Sequence, residues 1–393
     1  MFFFLEKGLN FAQIGILVSF REIFINILEI PSGSFADLYG RRFSMVLSFS
    51  AYIISFLIFG FSNNLIPFFA AMFFFAIGDS FRTGTHKAII FSWLRSQNRL
   101  DEKTKVYGYT RSWSKFGSAF SIIIATLIIL FKNNYNDLFF YAAIPYAAGL
   151  INFITYPKSL DGERSKHFTL SVIINHFTSS LKKAIKNKPL RNLMYESMGY
   201  EGTFAALKDY IQPIVKSLII SLPILITLEE SSRSAILIGV VYFILYLGSA
   251  YSSRFSHKIS DLAGNEEKGT QLVWLISFIV YTSLIPLFYF KYYIFAIVLF
   301  ILLHILQNFW RPMHISRFDS HSTEKEGAVI LSIESQSKSF ATAILAPIFG
   351  FLIDFSISFS IGGEFWLIAI CASAISVFFY IRSAKRNRPG FNH

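Results

Sequence analysis

Ionisable and amide side chains within long apolar segments are the residues of this sequence that could do chemistry. They occur in three segments, and within each segment they fall on a common face of a helix: Asp79, Arg82 and His86; Glu201 and Lys208; and His304, Gln307, Asn308 and Arg311. A charged side chain at the centre of a bilayer costs about 2.5–3.5 kcal/mol on insertion scales. Such groups must therefore be paired with one another or face water.

Two interpretations of these groups stay open. They line an aqueous cavity in which a solute binds, or they form buried ion pairs that lock helices together. The spacing i, i+3 allows Asp79 to pair with Arg82, and the spacing i, i+4 predicts a bridge between Glu334 and Lys338. Mixed charges of this kind favour a zwitterionic, anionic or amphipathic organic solute over a sugar.

Glu22 is a separate candidate, because it lies near the middle of an apolar segment beside Arg21. A carboxyl group buried in a membrane is a natural proton carrier. The alternative is a structural pair with Arg21 or with another basic neighbour. Adjacent residues of a helix point about 100° apart, so sharing one partner is difficult.

The elements that carry these residues indicate a membrane protein. Mean hydropathy is +0.50 and only 15% of residues are charged, against roughly 25% in soluble domains. Apolar windows of about 20 residues, long enough to cross a bilayer, lie near 11–32, 44–62, 66–91, 105–131, 137–156, 190–216, 234–253, 270–290, 292–316, 327–355 and 363–382.

The net charge of +12 has a topological distribution. Loops on one side of the predicted membrane carry 22 Lys and Arg residues, and loops on the other side carry four. This asymmetry places the basic side in the cytoplasm. The charge therefore argues for a membrane topology and against nucleic acid as a partner.

A short charged motif follows the first apolar segment and recurs in a fainter form. The motif contains Gly33, Asp37, Gly40, Arg41 and Arg42, and Asp261 occupies its second copy, 224 residues after Asp37. Gly33 and Gly40 allow close helix approach and a tight turn. Asp37 can face a helix dipole or a cation, so the cluster is a candidate gate. The alternative for the two arginines is that they only fix topology.

The recurrence predicts two homologous halves, although chance similarity is an alternative for matches this short. We expect an N-terminal bundle over 1–156, a cytoplasmic amphipathic linker over 157–189 on anionic lipid headgroups, and a C-terminal bundle over 190–393. The second half has about one helix more before its matching segment. We therefore expect an incomplete first helix, with residues 1–5 as its stump.

The Gly33-to-Arg42 motif and its position resemble the signature loop of the major facilitator superfamily. The resemblance implies an all-α integral membrane protein of two six-helix bundles with a pseudo-twofold repeat, here about eleven full transmembrane helices plus the stump. It also implies that the bundles rock around a central cavity. The fourth, seventh and tenth helices line that cavity in the family, and they correspond to the three polar segments here.

The function expected from these observations is proton-coupled secondary transport of a small organic solute, with efflux as one possible direction, by a monomer in the cell membrane. The candidate substrate-binding or ion-coupling residues are Glu22, Asp79, Arg82, Glu201, Lys208, Gln307 and Arg311. A non-transporting or degenerate relative is the alternative. We find no nucleotide-binding motif, no nucleophile–base constellation and no metal template. We accordingly expect no enzymatic activity, cofactor or metal.

Overall fold

The computed structural model describes residues 1–99, 103–132, 134–161, 175, 178–179, 181–182, 184–221, 227–255, 262, 264–319 and 327–386. Throughout these ranges the regular structure is helical, and no strand occurs in them. The all-α membrane fold expected from the sequence is thus confirmed. The linker helix predicted within 157–189 lies largely outside the described residues, and so does Asp261.

The described residues form fourteen α-helices. In chain order they are α1 Phe2–Glu6, α2 Phe11–Tyr39, α3 Arg41–Phe61, α4 Leu65–Ser96, α5 Lys103–Lys132, α6 Asn136–Thr155, α7 Lys188–Ser197, α8 Thr203–Leu207, α9 Ile211–Ser221, α10 Glu230–Arg254, α11 Glu266–Tyr289, α12 Tyr293–Asp319, α13 Gly327–Ser358 and α14 Trp366–Arg386. A π-helical turn, Met198–Gly202, joins α7 to α8, and a 3₁₀ turn, Lys208–Tyr210, joins α8 to α9.

Within the described ranges, ten helices are long and apolar enough to cross a membrane. They coincide with ten of the eleven apolar segments found in the sequence. The remaining segment, 190–216, is not a single helix, because it is divided among α7, the π turn, α8, the 3₁₀ turn and α9. Local backbone irregularity at membrane depth is tolerated only where protein or water satisfies the freed polar groups.

Asparagine side chains define two helix starts. The Asn187 carboxamide oxygen accepts a hydrogen bond from the N–H of Leu190 at 3.3 Å at the start of α7. The Asn265 side chain does the same for Lys268 at 2.8 Å at the start of α11. Asn is a favoured N-cap because its oxygen satisfies an amide that has no partner within the helix.

The chain divides into two compact units. Unit 1 contains Met1–Ile16, Ser114–Asn133 and Asn187–His393, and unit 2 contains Leu17–Trp113 and Asn134–Lys186. Helix α2 thus begins in unit 1 and continues in unit 2. The three-part domain division predicted from the sequence stays a prediction.

Unit 2 is organised around α3, which packs against α4 and α6. Its buried centre includes Met45, Ile89 and Phe153. Hydroxyl groups add specific contacts between α3 and α4, such as the hydrogen bond from Ser48 Oγ to the carbonyl of Gly78 at 2.6 Å. These contacts fix the helical face that carries Asp79 and Arg82.

Unit 1 is organised around α11, which packs against α12 and α14. Its core includes Tyr200, Trp274, Trp310 and Phe379, and the Tyr200 and Trp310 rings stack with their centroids 4.4 Å apart. A Cβ atom added at Gly199 would overlap the Phe379 ring. The absence of a side chain there lets the π turn lie directly on α14.

Candidate functional site

Three charged residues of unit 1 meet at one buried point. Arg311 on α12 lies 3.2 Å from a carboxylate oxygen of Glu201 and 3.6 Å from one of Glu334. The carboxylate side chains are 4% and 2% exposed, and that of Arg311 is 22% exposed. Gln307, one turn before Arg311, donates its amide N–H groups to both Glu201 oxygens at 3.0 and 3.1 Å. We call Glu201, Arg311 and Glu334 the triad.

The local backbone explains how the triad assembles. Glu201 belongs to the π turn, a helix irregularity that is often found at functional sites. At its neighbour Gly202, an added Cβ would come 2.5 Å from the Cβ of Ala341 on α13. The glycine thus permits a close approach to the helix that carries Glu334. The Ser197 hydroxyl also donates a hydrogen bond to Glu334 Oε1 at 3.0 Å.

One expectation about a lysine residue is corrected by this geometry. Glu334 pairs with Arg311, and the described residues include no ion pair between Glu334 and Lys338. The i, i+4 spacing was not decisive, because the Arg311 guanidinium from α12 pairs with that carboxylate. Lys208 lies in the 3₁₀ turn and has no ion pair within 4 Å in the described part of the chain. It is therefore not a member of the triad.

Unit 2 holds the second charged group, on α4. Arg82 Nη2 lies 3.0 Å from Asp79 Oδ1, as the i, i+3 spacing predicts. The Tyr52 hydroxyl on α3 donates a short hydrogen bond to the same Asp79 oxygen and accepts one from Arg82 Nε at 3.1 Å. Tyr52 itself is only 1% exposed. The tyrosine therefore orients both charged side chains.

Arg21 and Glu22 form a direct ion pair at 2.6 Å in the unit 2 part of α2. Helix geometry alone makes an adjacent pair unfavourable, but the long arginine side chain folds back to its neighbour. Its guanidinium also lies 5.8 Å from the centroid of the Phe75 ring. Arg21 thus links α2 to α4.

The charged motif is more helical than the sequence indicates. Helix α2 continues to Tyr39, so Gly33 and Asp37 are helical, and the expected loop reduces to Gly40 with φ 100°. Among the described residues, a Cβ at Gly33 would meet no atom within 4 Å. The described atoms thus show no close helix approach at Gly33, and its expected role stays a prediction.

The arginines of the motif lie at the start of α3, and Arg42 has a defined partner. Its Nη1 donates to the carbonyl oxygen of Tyr156 at 3.2 Å, at the end of α6. Cationic groups at a helix C-terminus satisfy carbonyls that lack partners there and interact favourably with the dipole. Arg42 thus joins α3 to α6 within unit 2.

Two charged arrangements were not found by sequence reasoning. Arg317 and Glu196 form a buried bidentate pair at 2.7 and 3.3 Å. The Asp354 carboxylate accepts hydrogen bonds from the backbone N–H groups of Phe11 and Ala12. Ionisable residues at the ends of apolar segments were the available signal, but their partners are distant in the sequence.

Comparison with known proteins gives two results at the level of sequence. A family model described as Major Facilitator Superfamily matches residues 2–333. The uncharacterized MFS-type transporter YxaM of Bacillus subtilis (strain 168) is 24% identical over 229 residues, which are 55% of this chain and 53% of that protein. The chain thus spans about half the length of this curated relative.

Solved structures extend the similarity to nearly the whole chain. The nucleoside transporter NupG matches with a TM-score of 0.73 and 14% identity, over 98% of this chain and 93% of NupG. A POT family transporter in complex with 5-aminolevulinic acid matches with a TM-score of 0.71 and 15% identity, over 97% and 90%. At these identities the likeness shows the fold alone. With the family model covering most of its length and ten helices able to cross a membrane, the chain is a multi-pass membrane protein that belongs to the major facilitator superfamily.

Proposed function

We propose that this protein is a secondary active transporter of a small organic solute in the cell membrane, and that the triad couples transport to protons. The observation that carries the proposal is the sharing of one guanidinium by two buried carboxylates, at 3.2 and 3.6 Å. Membership of the superfamily supports transport as the activity. The triad supplies the physical reason for proton coupling.

The triad contains two carboxylates and one guanidinium. With both Glu201 and Glu334 ionised, Arg311 leaves one negative charge uncompensated, and in the described residues no other cationic side chain lies within 4 Å of either carboxylate. A buried unpaired charge is strongly unfavourable. One additional proton would make the charge count of the triad zero, and this count is what supports the proposed coupling.

The three members of the triad come from separate helical elements: the π turn after α7, α12 and α13. A relative movement of any of these elements alters the two Arg311 distances and hence the preference for a proton. Arg311 is also the most exposed member of the triad, so a change in its surroundings can alter its pairing with both carboxylates.

Among the remaining predicted residues of unit 1, Lys208 is charged, partly exposed and not a member of the triad, and it is assigned to solute contact. Glu22 has an ion pair with Arg21, which makes the triad the better proton site. Similar folds carry nucleosides in NupG and bind 5-aminolevulinic acid in a POT family transporter. Fold likeness therefore does not select a solute.

The proposal is tested in proteoliposomes that contain a pH-sensitive dye, with a panel of organic solutes added outside. We expect solute-dependent proton movement in the wild type. Glu201→Gln and Glu334→Gln should abolish it but preserve solute exchange without a gradient. The matched control is Glu364→Gln, whose carboxylate accepts a hydrogen bond from Ser217 at 3.2 Å, away from the triad.

The results separate the possible functions. Proton movement that persists in both triad variants would contradict coupling at this site. Solute flux without proton movement in the wild type would indicate uniport. The absence of flux for every solute would favour a non-transporting member of the superfamily.

A further inference from the structure

We propose that Asp79 and Arg82 recognise the two opposite charges of a zwitterionic, amino-acid-like solute. This inference rests on the transport function proposed above and names the substrate class. Asp79 would bind the ammonium group, and Arg82 would bind the carboxylate. All the structural observations that carry it lie within unit 2.

The hydrogen bonds of the pair leave one acceptor and one donor group unused. Asp79 Oδ1 accepts from both Tyr52 and Arg82, and Arg82 uses Nε and Nη2 for Tyr52 and Asp79. In the described part of the chain, neither Asp79 Oδ2 nor Arg82 Nη1 has a hydrogen-bond partner. The pair thus presents a carboxylate oxygen beside a guanidinium NH₂ group.

Both unused groups belong to accessible side chains. The side chain of Asp79 is 24% exposed and that of Arg82 is 47% exposed. Asp79 and Arg82 lie in the apolar part of α4, Leu65–Thr83. Charged groups at this depth face protein or water and not lipid, because exposure to hydrocarbon is costly. The proposal therefore includes an aqueous surrounding for the unused edge, from which a solute would displace water.

The pair is held in a fixed orientation. The Tyr52 ring is buried, and the Arg82 guanidinium lies 5.8 Å from its centroid. A Cβ at Gly78 would come within 2.8–2.9 Å of the same ring. The Tyr52 ring, carried by α3, is thus packed tightly against α4, and it orients the two charged side chains before a ligand binds. Such preorganisation reduces the entropic cost of binding.

Charge complementarity selects a zwitterion over a singly charged solute. The pair carries one negative and one positive charge, so its net charge is zero. An anion attracted to Arg82 is repelled by Asp79, and a cation attracted to Asp79 is repelled by Arg82. A zwitterion aligned head to tail with the pair gains both attractions and adds no net charge to the site.

Aromatic rings beside the pair provide contacts for the apolar part of such a solute. Phe75 and Tyr146 are partly exposed, and their ring centroids lie 5.1 and 5.0 Å from that of Tyr52. Rings of this kind offer a large apolar area together with a polar tip on tyrosine. The site therefore fits an amino acid with a small apolar or aromatic side chain.

Equilibrium binding to the purified full-length protein tests this inference without any gradient. The probes form two matched sets: L-phenylalanine, 3-phenylpropionate and 2-phenylethylamine; and L-alanine, propionate and ethylamine. We expect at least one amino acid to bind at least tenfold more tightly than its anion and its cation. Weaker or equal binding of both amino acids, or no binding of any of the six compounds, would overturn the inference.

Charge-neutralising variants separate recognition from a structural role. Asp79→Asn and Arg82→Gln should each weaken amino-acid binding at least tenfold. Asp79→Asn should also shift the remaining preference towards the anion, and Arg82→Gln towards the cation. A merely structural pair would lose all three ligands equally. The matched control is Arg382→Gln, because Arg382 also bonds a side-chain oxygen, that of Asn192, and lies 5.2 Å from the Tyr195 ring.

The two proposals fail in distinguishable ways. Glu201→Gln should lose proton-coupled uptake and retain amino-acid binding. Selective amino-acid binding without flux in the wild type would support the binding pair and contradict transport. Proton-coupled flux of a solute that is not zwitterionic, with no amino-acid binding, would support the transport function and contradict recognition by Asp79 and Arg82.

Discussion

Asp354 caps the N-terminus of a helix that begins 343 residues earlier in the chain, because its Oδ2 accepts a hydrogen bond from the N–H of Ala12 at 2.7 Å. Asp354 Oδ1 accepts from Phe11 at 3.1 Å. These amides belong to the first turn of α2, where no intrahelical acceptor exists, and the helix dipole favours a negative charge there. The start of α2 and the end of α13 are thus joined on the side that the loop charges assign to the exterior.

The contact between the start of α2 and the end of α13 is called the junction. Removing the charge of Asp354 should loosen it. Asp354→Asn keeps the shape of the hydrogen-bonding group but removes its charge. This should destabilise the closed junction by about 1 kcal/mol, which corresponds to roughly a fivefold change in the ratio of closed to open junction. We expect faster reaction of a membrane-impermeant maleimide with Ala346→Cys, introduced with Cys371→Ala. In the structure Ala346 is 3% exposed and packs against Gly15 of α2. A cysteine at this position should therefore react slowly unless α2 and α13 move apart.

The control for this labelling is Glu364→Gln, which removes a carboxylate that accepts a hydrogen bond from the Ser217 hydroxyl and not from a helix terminus. It should leave the rate unchanged. Equal labelling rates in Asp354→Asn and the parent protein would show that the cap does not hold the junction closed.

Gly350 is the second requirement for the junction. A Cβ at this position would overlap the carbonyl of Phe11 and come 2.9 Å from Ala12 Cα. Gly350→Ala must therefore separate α2 from α13, and we expect a loss of stability of about 1–3 kcal/mol together with faster labelling at position 346. Thermal unfolding in detergent measures the first effect.

The matched control is Gly117→Ala in α5, where an added Cβ would meet no described atom within 4 Å. Alanine is the better helix former by about 1 kcal/mol, so its melting temperature should stay the same or rise. A similar decrease in both glycine variants would point to a general effect of the substitution and not to the junction.

Local geometry accounts for the features that the sequence predicted well. Apolar length placed the membrane helices, because a span needs about 20 such residues whatever its partners. The Asp79–Arg82 pair followed from i, i+3 spacing, since one helix brings these side chains together by itself. Both features depend on a few consecutive turns of one segment.

Tertiary contacts account for the features that the sequence did not predict. Spacing favoured Lys338 as the partner of Glu334, but Arg311 from another helix takes that place. The π turn around Glu201 has no periodicity signal of its own, because it alters the register by one residue only. The cap on Ala12 depends on a carboxylate 342 residues away. None of these relations is encoded in local spacing.

Gly40 turns the chain between α2 and α3 without an intervening loop. Its φ and ψ of 100° and 146° lie in a region that is essentially restricted to glycine. We expect Gly40→Ala to lose about 1–3 kcal/mol of stability, observed as a lower melting temperature than that of Gly117→Ala. An unchanged melting temperature would mean that the turn relaxes to another conformation at no cost.

The buried pair of Glu196 and Arg317 should contribute to stability and not to coupling. Its side chains are 6% and 9% exposed, and Arg317 also donates to Thr270 Oγ1 at 2.9 Å. Unlike the triad, it matches one carboxylate with one guanidinium. Arg317→Gln leaves the carboxylate buried without its bidentate partner, which costs about 3–5 kcal/mol.

A double-variant cycle measures the interaction energy between Glu196 and Arg317. Glu196→Gln together with Arg317→Gln removes both charges, so most of the stability lost in Arg317→Gln should return. Thermal unfolding of the single and double variants gives the interaction energy, and proton-coupled uptake should be restored along with the folded fraction. If the two single losses simply add in the double variant, the pair is not an energetic unit, and the stability of this region must come from the packing around Trp310 and Trp274.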